Sequence, residues 1–65
     1  MITINDVNHP FVEGETVETA LRRVDQLYPF MSVQLNGRWL RKDDWTRLAV
    51  EDGSNLRTVE MIAGG

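Results

Sequence analysis

The sequence contains no cysteine and a single histidine, His9. Without a thiol there is no disulfide, thiolate metal site or cysteine nucleophile, and one histidine cannot build a metal site by itself. A chain of 65 residues also buries only a small core. The lack of cysteine fits a reducing compartment, and we expect a cytoplasmic protein.

Long apolar runs and a strongly basic charge are absent as well. No stretch approaches the ~20 apolar residues that span a bilayer. The N-terminus, MITINDVNHP, lacks the basic start and apolar stretch of a signal peptide. The net charge of −3 makes nucleic acid a poor partner for the surface as a whole. We therefore expect one domain that binds neither membranes nor nucleic acids.

The first third of the chain predicts a hairpin and then a helix. Residues 1–5 alternate, with Ile2 and Ile4 on one face, which predicts a strand. Residues 6–10 have turn composition and residues 11–13 look extended, so the hairpin loop would contain His9. Thr16 is suited to cap the helix that follows, and Pro29 is expected to end it.

The apolar residues of this helix repeat with the i, i+3, i+4, i+7 spacing of one buried stripe. Its members are Val17, Ala20, Leu21, Val24, Leu27 and Tyr28. Glu18 and Arg22 are four residues apart and can pair on the opposite, exposed face.

The second half predicts a hairpin, a short helical turn and a last strand. Residues 31–35 alternate, and Asn36-Gly37 is the strongest two-residue hairpin signal, with residues 38–41 returning. Either Asp43 or Asp44 can cap a turn that carries Trp45, Leu48 and Ala49 inward. Residues 51–54 form a turn, and residues 56–62 form a strand long enough for the middle of the sheet.

This order of elements predicts an α+β fold. A single amphipathic helix can bury its stripe only against one face of a sheet, here a mixed sheet of four to five strands. The last strand carries apolar residues on both faces, Leu56 and Ile62 on one and Val59 and Met61 on the other. Such a strand is expected where one face is core and the other is an interface.

Three stretches carry a resemblance to a known family: EGETVETALRRV, LNGRWLRKDDW and VEDGSNLRTVEMIAGG. With the order of elements and the final Gly64-Gly65, the chain resembles the β-grasp, ubiquitin-like ThiS/MoaD family of sulfur carriers. The likeness favours the ThiS type over the molybdopterin-synthase small subunit, because no proline follows Pro29.

The resemblance implies a β-grasp domain over residues 1–61 and a flexible tail over residues 62–65. It implies that a ThiF-like enzyme uses ATP to adenylate the Gly65 carboxylate, and that a persulfide donor converts it to a thiocarboxylate. A ThiG-like thiazole synthase of thiamin biosynthesis would accept the sulfur. The chain would be a monomeric co-substrate rather than an enzyme and would bind no cofactor.

The tail residues have separate expected roles. Gly64 lets the backbone enter a narrow channel, because it has no side chain. Ala63, Ile62 and Met61 would guide the tail into the partner.

Three other functions stay open at this point. The chain could be a related carrier for molybdopterin or amino-acid sulfur transfer. It could be a protein modifier of the ubiquitin type, joined to lysines through Gly65. It could also be a non-covalent interaction module in which the glycines have no role.

Two surface features are also ambiguous. Trp39 and Trp45 fit either core packing or docking to a partner. Four basic residues cluster within ten positions: Arg38, Arg41, Lys42 and Arg47. They fit a solvated face, a nucleic-acid patch or a surface that docks an acidic partner.

Overall fold

The computed structural model describes residues 1–60. Its elements in chain order are β1 (Ile2–Ile4), β2 (Val7–His9), α1 (Val17–Arg23), β3 (Met31–Leu35), β4 (Arg38–Leu40), a short 3-10 helix (Lys42–Thr46) and β5 (Asn55–Glu60). The five strands form one sheet in the order β2-β1-β5-β3-β4. Strand β5 is parallel to β1 and antiparallel to β3, so the predicted mixed sheet with a central last strand is confirmed.

The core lies between α1 and one face of the sheet. Its members come from the strands, from α1 and from the segment around the 3-10 helix: Ile2, Ile4, Val17, Ala20, Leu21, Met31, Val33, Trp45, Val50 and Leu56. The predicted helix stripe is confirmed at its first three positions, while Val24 and Leu27 pack against the core only in part. Tyr28 was predicted to be buried, but its side chain is exposed because α1 ends before it.

The first hairpin is tighter than the sequence predicted. Its turn is Asn5-Asp6, and both residues have positive φ, at 52° and 69°. Two consecutive positive φ angles are typical of the two-residue turn that matches the twist of paired strands. The prediction of a turn at 6–10 and an extended partner at 11–13 is therefore wrong, because His9 pairs with Ile2 inside β2.

The two ends of α1 are stabilised in different ways. At the start, the Thr16 hydroxyl accepts from the Thr19 N–H at 3.3 Å, and the Thr19 hydroxyl accepts from the Thr16 N–H at 2.8 Å. This reciprocal pair confirms Thr16 as the N-cap. On the exposed face, the Arg22 guanidinium donates to the Glu18 carboxylate at 3.0 Å, as predicted.

At its end, α1 stops earlier than Pro29 would require. Asp25 adopts a positive φ of 59°, its N–H donates to the Arg22 carbonyl, and the Gln26 N–H donates to the Leu21 carbonyl. These two bonds form a Schellman motif, which ends a helix by itself. Pro29 is therefore not the residue that stops the helix.

The segment after β4 also differs in part. The N-cap of the 3-10 helix is Arg41, not Asp43 or Asp44 as predicted, and the Asp44 carboxylate accepts from the Arg41 N–H at 3.0 Å from within the first turn. Trp45 is buried as predicted, but Leu48 and Ala49 are exposed and Val50 is buried instead. Residues 48–50 are extended rather than helical, because they pair with the segment that leads into α1. The Val17 N–H donates to the Leu48 carbonyl, and the Val50 N–H donates to the Glu15 carbonyl.

Candidate functional site

The predicted tail, with its site residues Ile62, Ala63, Gly64 and Gly65, lies outside the described residues, as does Met61 before it. The structure does describe β5, the strand that leads toward this tail. Strand β5 ends at Glu60, which pairs with Met31 at the start of β3. The described part of the candidate site therefore consists of β5 and the surfaces beside it.

Strand β5 is fixed to the sheet on both sides. It pairs with β3 over five positions, from Leu56 to Glu60. On its other side it pairs with β1 at Asn55 and Leu56, and beyond that the Asn5 N–H donates to the Leu56 carbonyl at 2.9 Å. A strand held on both sides gives the residues that follow it a defined starting point.

The face of the sheet that points away from α1 carries apolar groups next to β5. Val59 of β5 pairs with Ser32 of β3. Gln34 of β3 pairs with Arg57 of β5 on one side and with Trp39 of β4 on the other. The Val59 side chain is 45% exposed and that of Trp39 is 59% exposed. Leu56, by contrast, is fully buried. For the part of β5 that is described, this confirms the expectation of one core face and one exposed face with apolar residues.

Phe30 is an exposed aromatic residue to which the sequence analysis gave no role. It is 74% exposed and immediately precedes Met31, the residue opposite Glu60. The available sequence signal was an aromatic residue between Pro29 and the alternating strand, outside any amphipathic pattern.

The structure separates the two tryptophans. Trp45 is 4% exposed and belongs to the core, so it is not a surface anchor. Its indole N–H finds no acceptor among residues 1–60. Trp39 stands on the edge strand β4 and is the tryptophan that a partner can reach.

The predicted basic cluster is also divided. Four arginines form ion pairs within the described chain: Arg22 with Glu18, Arg23 with Glu15, Arg47 with Asp44 and Arg57 with Asp6. Arg47 therefore differs from the basic side chains that have no ion-pair partner among residues 1–60. Arg38, Arg41 and Lys42 form no ion pair with any residue of the described range.

The carboxylate of Asp44 has a structural role. The pKa of Asp44 is lowered, first by the hydrogen bond from the Arg41 N–H and then by the hydrogen bond from Arg47. Among residues 1–60, no group of three His, Asp or Glu side chains could hold a metal ion. No helix in that range is long and apolar enough to cross a membrane.

Comparison with known proteins extends the geometry to function. The model of the ThiS family matches residues 2–65. The sulfur carrier protein ThiS of Escherichia coli is 28% identical over 64 residues, covering 98% of this chain and 97% of the relative. The structure of a thiamine biosynthesis protein, ThiS, from Geobacter metallireducens superposes with a TM-score of 0.75. It is 24% identical and covers 98% of this chain and 97% of that one, and so it bears on the fold.

The family match spans all three stretches that carried the resemblance, including the final glycines, and the TM-score shows that the β-grasp fold is shared with the ThiS neighbour. The chain belongs to the ThiS family of sulfur carriers.

Proposed function

We propose that this chain carries sulfur as a thiocarboxylate on Gly65. The observation that supports this most directly is the family match, which runs as far as Gly65. The central position of β5, which leads toward the tail, agrees with it. The reacting group is the Gly65 carboxylate, present either at the encoded terminus or after trimming.

The proposed reaction begins with activation. A terminal carboxyl has a pKa of ~3.3–3.7, so it is ionised at neutral pH and is a poor electrophile. A ThiF-like enzyme joins the carboxylate oxygen to the α-phosphorus of ATP and releases pyrophosphate. The acyl-adenylate then has AMP as a good leaving group.

Sulfur transfer follows at the same carbon. A persulfide donor attacks the acyl carbon and expels AMP, which leaves an acyl disulfide. A thiol then attacks the donor's sulfur and forms a disulfide with the donor, and the sulfur bonded to the acyl carbon leaves with the electron pair as the Gly65 thiocarboxylate. The chain is thus consumed and regenerated as a co-substrate, and its partners supply the catalysis and the ATP.

The residues of the tail suit this chemistry. Gly64 and Gly65 lack side chains, so the backbone can enter a narrow active-site channel and adopt conformations that other residues avoid. Four extended residues, 62–65, reach ~13–14 Å. We propose that Met61, Ile62 and Ala63 contact the walls of that channel.

The proposed destination is thiamin biosynthesis, with a ThiG-like thiazole synthase as acceptor. The support is the function named for the two similar proteins, a sulfur carrier ThiS and a thiamine biosynthesis protein. We propose a monomer in the cytoplasm, where its partners would also be found.

The test is intact-mass analysis after incubation with ATP, the adenylating enzyme of the same genome and a persulfide donor. We expect the mass increase of one oxygen replaced by sulfur, located at Gly65 by fragment ions. The fragments are needed because oxidation of any of the three methionines adds nearly the same mass. A chain lacking Gly65 is the matched control and should stay unchanged.

Two results would contradict the proposal. One is an unmodified Gly65 in the presence of an enzyme shown to adenylate another carrier. The other is the appearance of stable lysine conjugates in cells, which would assign the chain to the protein modifiers. Thiazole formation by the ThiG-like enzyme, with the thiocarboxylate as sole sulfur source, tests the destination separately.

A further inference from the structure

A groove runs along the free edge of the sheet, between β4 and the 3-10 helix. It has a volume of about 450 Å³. Its main lining residues are Arg38, Trp39, Leu40, Arg41, Asp44 and Leu48. We call it the β4 groove.

The β4 groove is positively charged in a chain that is acidic overall. Its one carboxylate, Asp44, is already engaged by Arg47 at 3.1 Å and by the Arg41 N–H at 3.0 Å. Arg38 and Arg41 form no ion pair within residues 1–60. The arginines of the other elements, Arg22, Arg23 and Arg57, each pair with a carboxylate in that range. The net charge of −3 for the whole chain makes this local excess of positive charge distinct.

The same groove exposes apolar surface. Trp39 is 59% exposed and Leu48 is 38% exposed, while Leu40 packs partly against the core. Aromatic residues and arginine are the types enriched where protein partners bind, because they combine a large contact area with directed hydrogen bonds.

The position of the groove relates it to the tail. Leu40 pairs with Val33 of β3, and Glu60 pairs with Met31 of β3. The end of β4 and the end of β5 therefore lie toward the same end of the sheet, separated by two strand spacings, about 10 Å, across the sheet and by two residues, about 7 Å, along it. A protein that surrounds the tail at Glu60 can reach Arg41 at the same time.

We propose that the β4 groove docks an acidic segment of the enzyme that adenylates the tail, a segment with carboxylates beside an apolar side chain. This rests on the proposed function. The carboxylates pair with Arg38 and Arg41, and the apolar side chain packs on Trp39 and Leu48. Nucleic acid fits less well, because Asp43 and Asp44 adjoin these arginines and the whole chain would repel a polyanion.

Docking of this kind acts mainly on association. Charge pairs at an interface raise the rate of encounter, and salt screens them with a Debye length of about 10 Å at 0.1 M. We expect the groove to change kcat/KM for adenylation and to leave kcat at saturation unchanged, because the reacting carboxylate is elsewhere.

The experiment measures ATP–pyrophosphate exchange by the adenylating enzyme, with the wild-type chain assayed first. R38Q/R41Q is compared with N8D/Q26E, which makes the same change in net charge at positions outside the groove. We expect kcat/KM to fall roughly tenfold for R38Q/R41Q, with a weaker dependence on salt, and to stay within about twofold for N8D/Q26E. Thermal unfolding of both variants checks that the fold is intact.

A second measurement locates the contact. With ¹⁵N-labelled chain, substoichiometric enzyme should broaden the amide signals of Arg38–Arg41 and Leu48. A normal kcat/KM for R38Q/R41Q, or an equal loss of kcat/KM in both variants, overturns the docking proposal. Adenylation of the wild-type chain in the same assay still supports the proposed function. If the wild type is not adenylated, both fail.

The same signals test other occupants. Broadening that rises with the concentration of the chain alone would assign the groove to a second copy. Broadening with a single-stranded oligonucleotide of twenty thymidines, and none with the enzyme, would assign it to nucleic acid. Either outcome overturns the proposal.

Discussion

The side chain of Asn5 holds Thr58 through two hydrogen bonds. Its carbonyl oxygen accepts from the Thr58 N–H at 2.8 Å, and its amide nitrogen donates to the Thr58 hydroxyl at 2.9 Å. Asn5 belongs to the tight turn between β1 and β2, so this turn extends the contact between β1 and β5 past the paired residues. The strand that leads to the tail is thus fixed by a residue 53 positions away.

This relationship predicts that Asn5 is important for stability. N5G keeps a backbone that tolerates the φ of 52° but loses both bonds, which should lower the free energy of unfolding by about 1–3 kcal/mol. N5A should lose about 1–2 kcal/mol more, because alanine is strained at positive φ. Urea unfolding measures both. As a control, N8A removes an exposed amide from β2 and should change stability by less than about 0.5 kcal/mol. Equal effects of N5G and N8A would show that the two Asn5–Thr58 hydrogen bonds contribute little to stability.

A second prediction concerns the tail. G64V should reduce formation of the Gly65 thiocarboxylate to background, because a branched side chain would obstruct the proposed channel. The melting temperature should not change, since the core formed by the described part of the chain lies within residues 2–56. The matched control is G53A, which strains a turn glycine with φ of 87° and should lower the melting temperature while leaving the thiocarboxylate yield intact. If Gly65 of G64V is converted to the thiocarboxylate at the normal level, the reaction does not require glycine at position 64.

A third prediction separates the two tryptophans by fluorescence. W39F leaves only the buried Trp45, so its emission should be blue-shifted and poorly quenched by acrylamide. W45F leaves only the exposed Trp39 and should show the opposite. W45F keeps an aromatic ring in the core and removes an indole N–H that has no acceptor within residues 1–60, so it should cost less than W45A, which should cost about 3–5 kcal/mol. Equal quenching of the two single-tryptophan proteins would contradict the assignment.

A fourth prediction concerns pH. The folded-state pKa of Asp44 is lowered below its unfolded value, so its contribution to stability is complete above the unfolded pKa. That contribution is lost as the pH falls through the folded pKa. D44N should therefore be less stable than the wild type at neutral pH, and the difference should shrink in acid. NMR titration of the side-chain carboxyl measures the pKa directly.

The variant R47Q tests the cause of this pKa shift. The hydrogen bond from the Arg41 N–H is the largest contribution and Arg47 is the next. In R47Q the pKa of Asp44 should rise only part of the way toward its ordinary value. A complete return would show that Arg47, and not the backbone cap, is responsible.

Local signals predicted much of this fold. The apolar alternation of residues 31–35, the Asn36-Gly37 turn and the Thr16 cap are properties of neighbouring residues, and each was confirmed. The first hairpin was mispredicted because Asn5-Asp6 and residues 6–10 both have turn composition. Only the pairing of Ile2 with His9 distinguishes the two turns.

The sequence by itself determined the order of elements, the central last strand and the Gly64-Gly65 ending that identify the family. These depend on periodicity, turn chemistry and local motifs, all of which can be read along the chain. Tertiary structure alone decided that Trp45 is buried while Trp39 is exposed, and that Arg47 forms an ion pair while Arg38 and Arg41 form none with residues 1–60. Burial and ion pairing depend on which distant segments meet, and so the surface available to partners appears only in the folded chain.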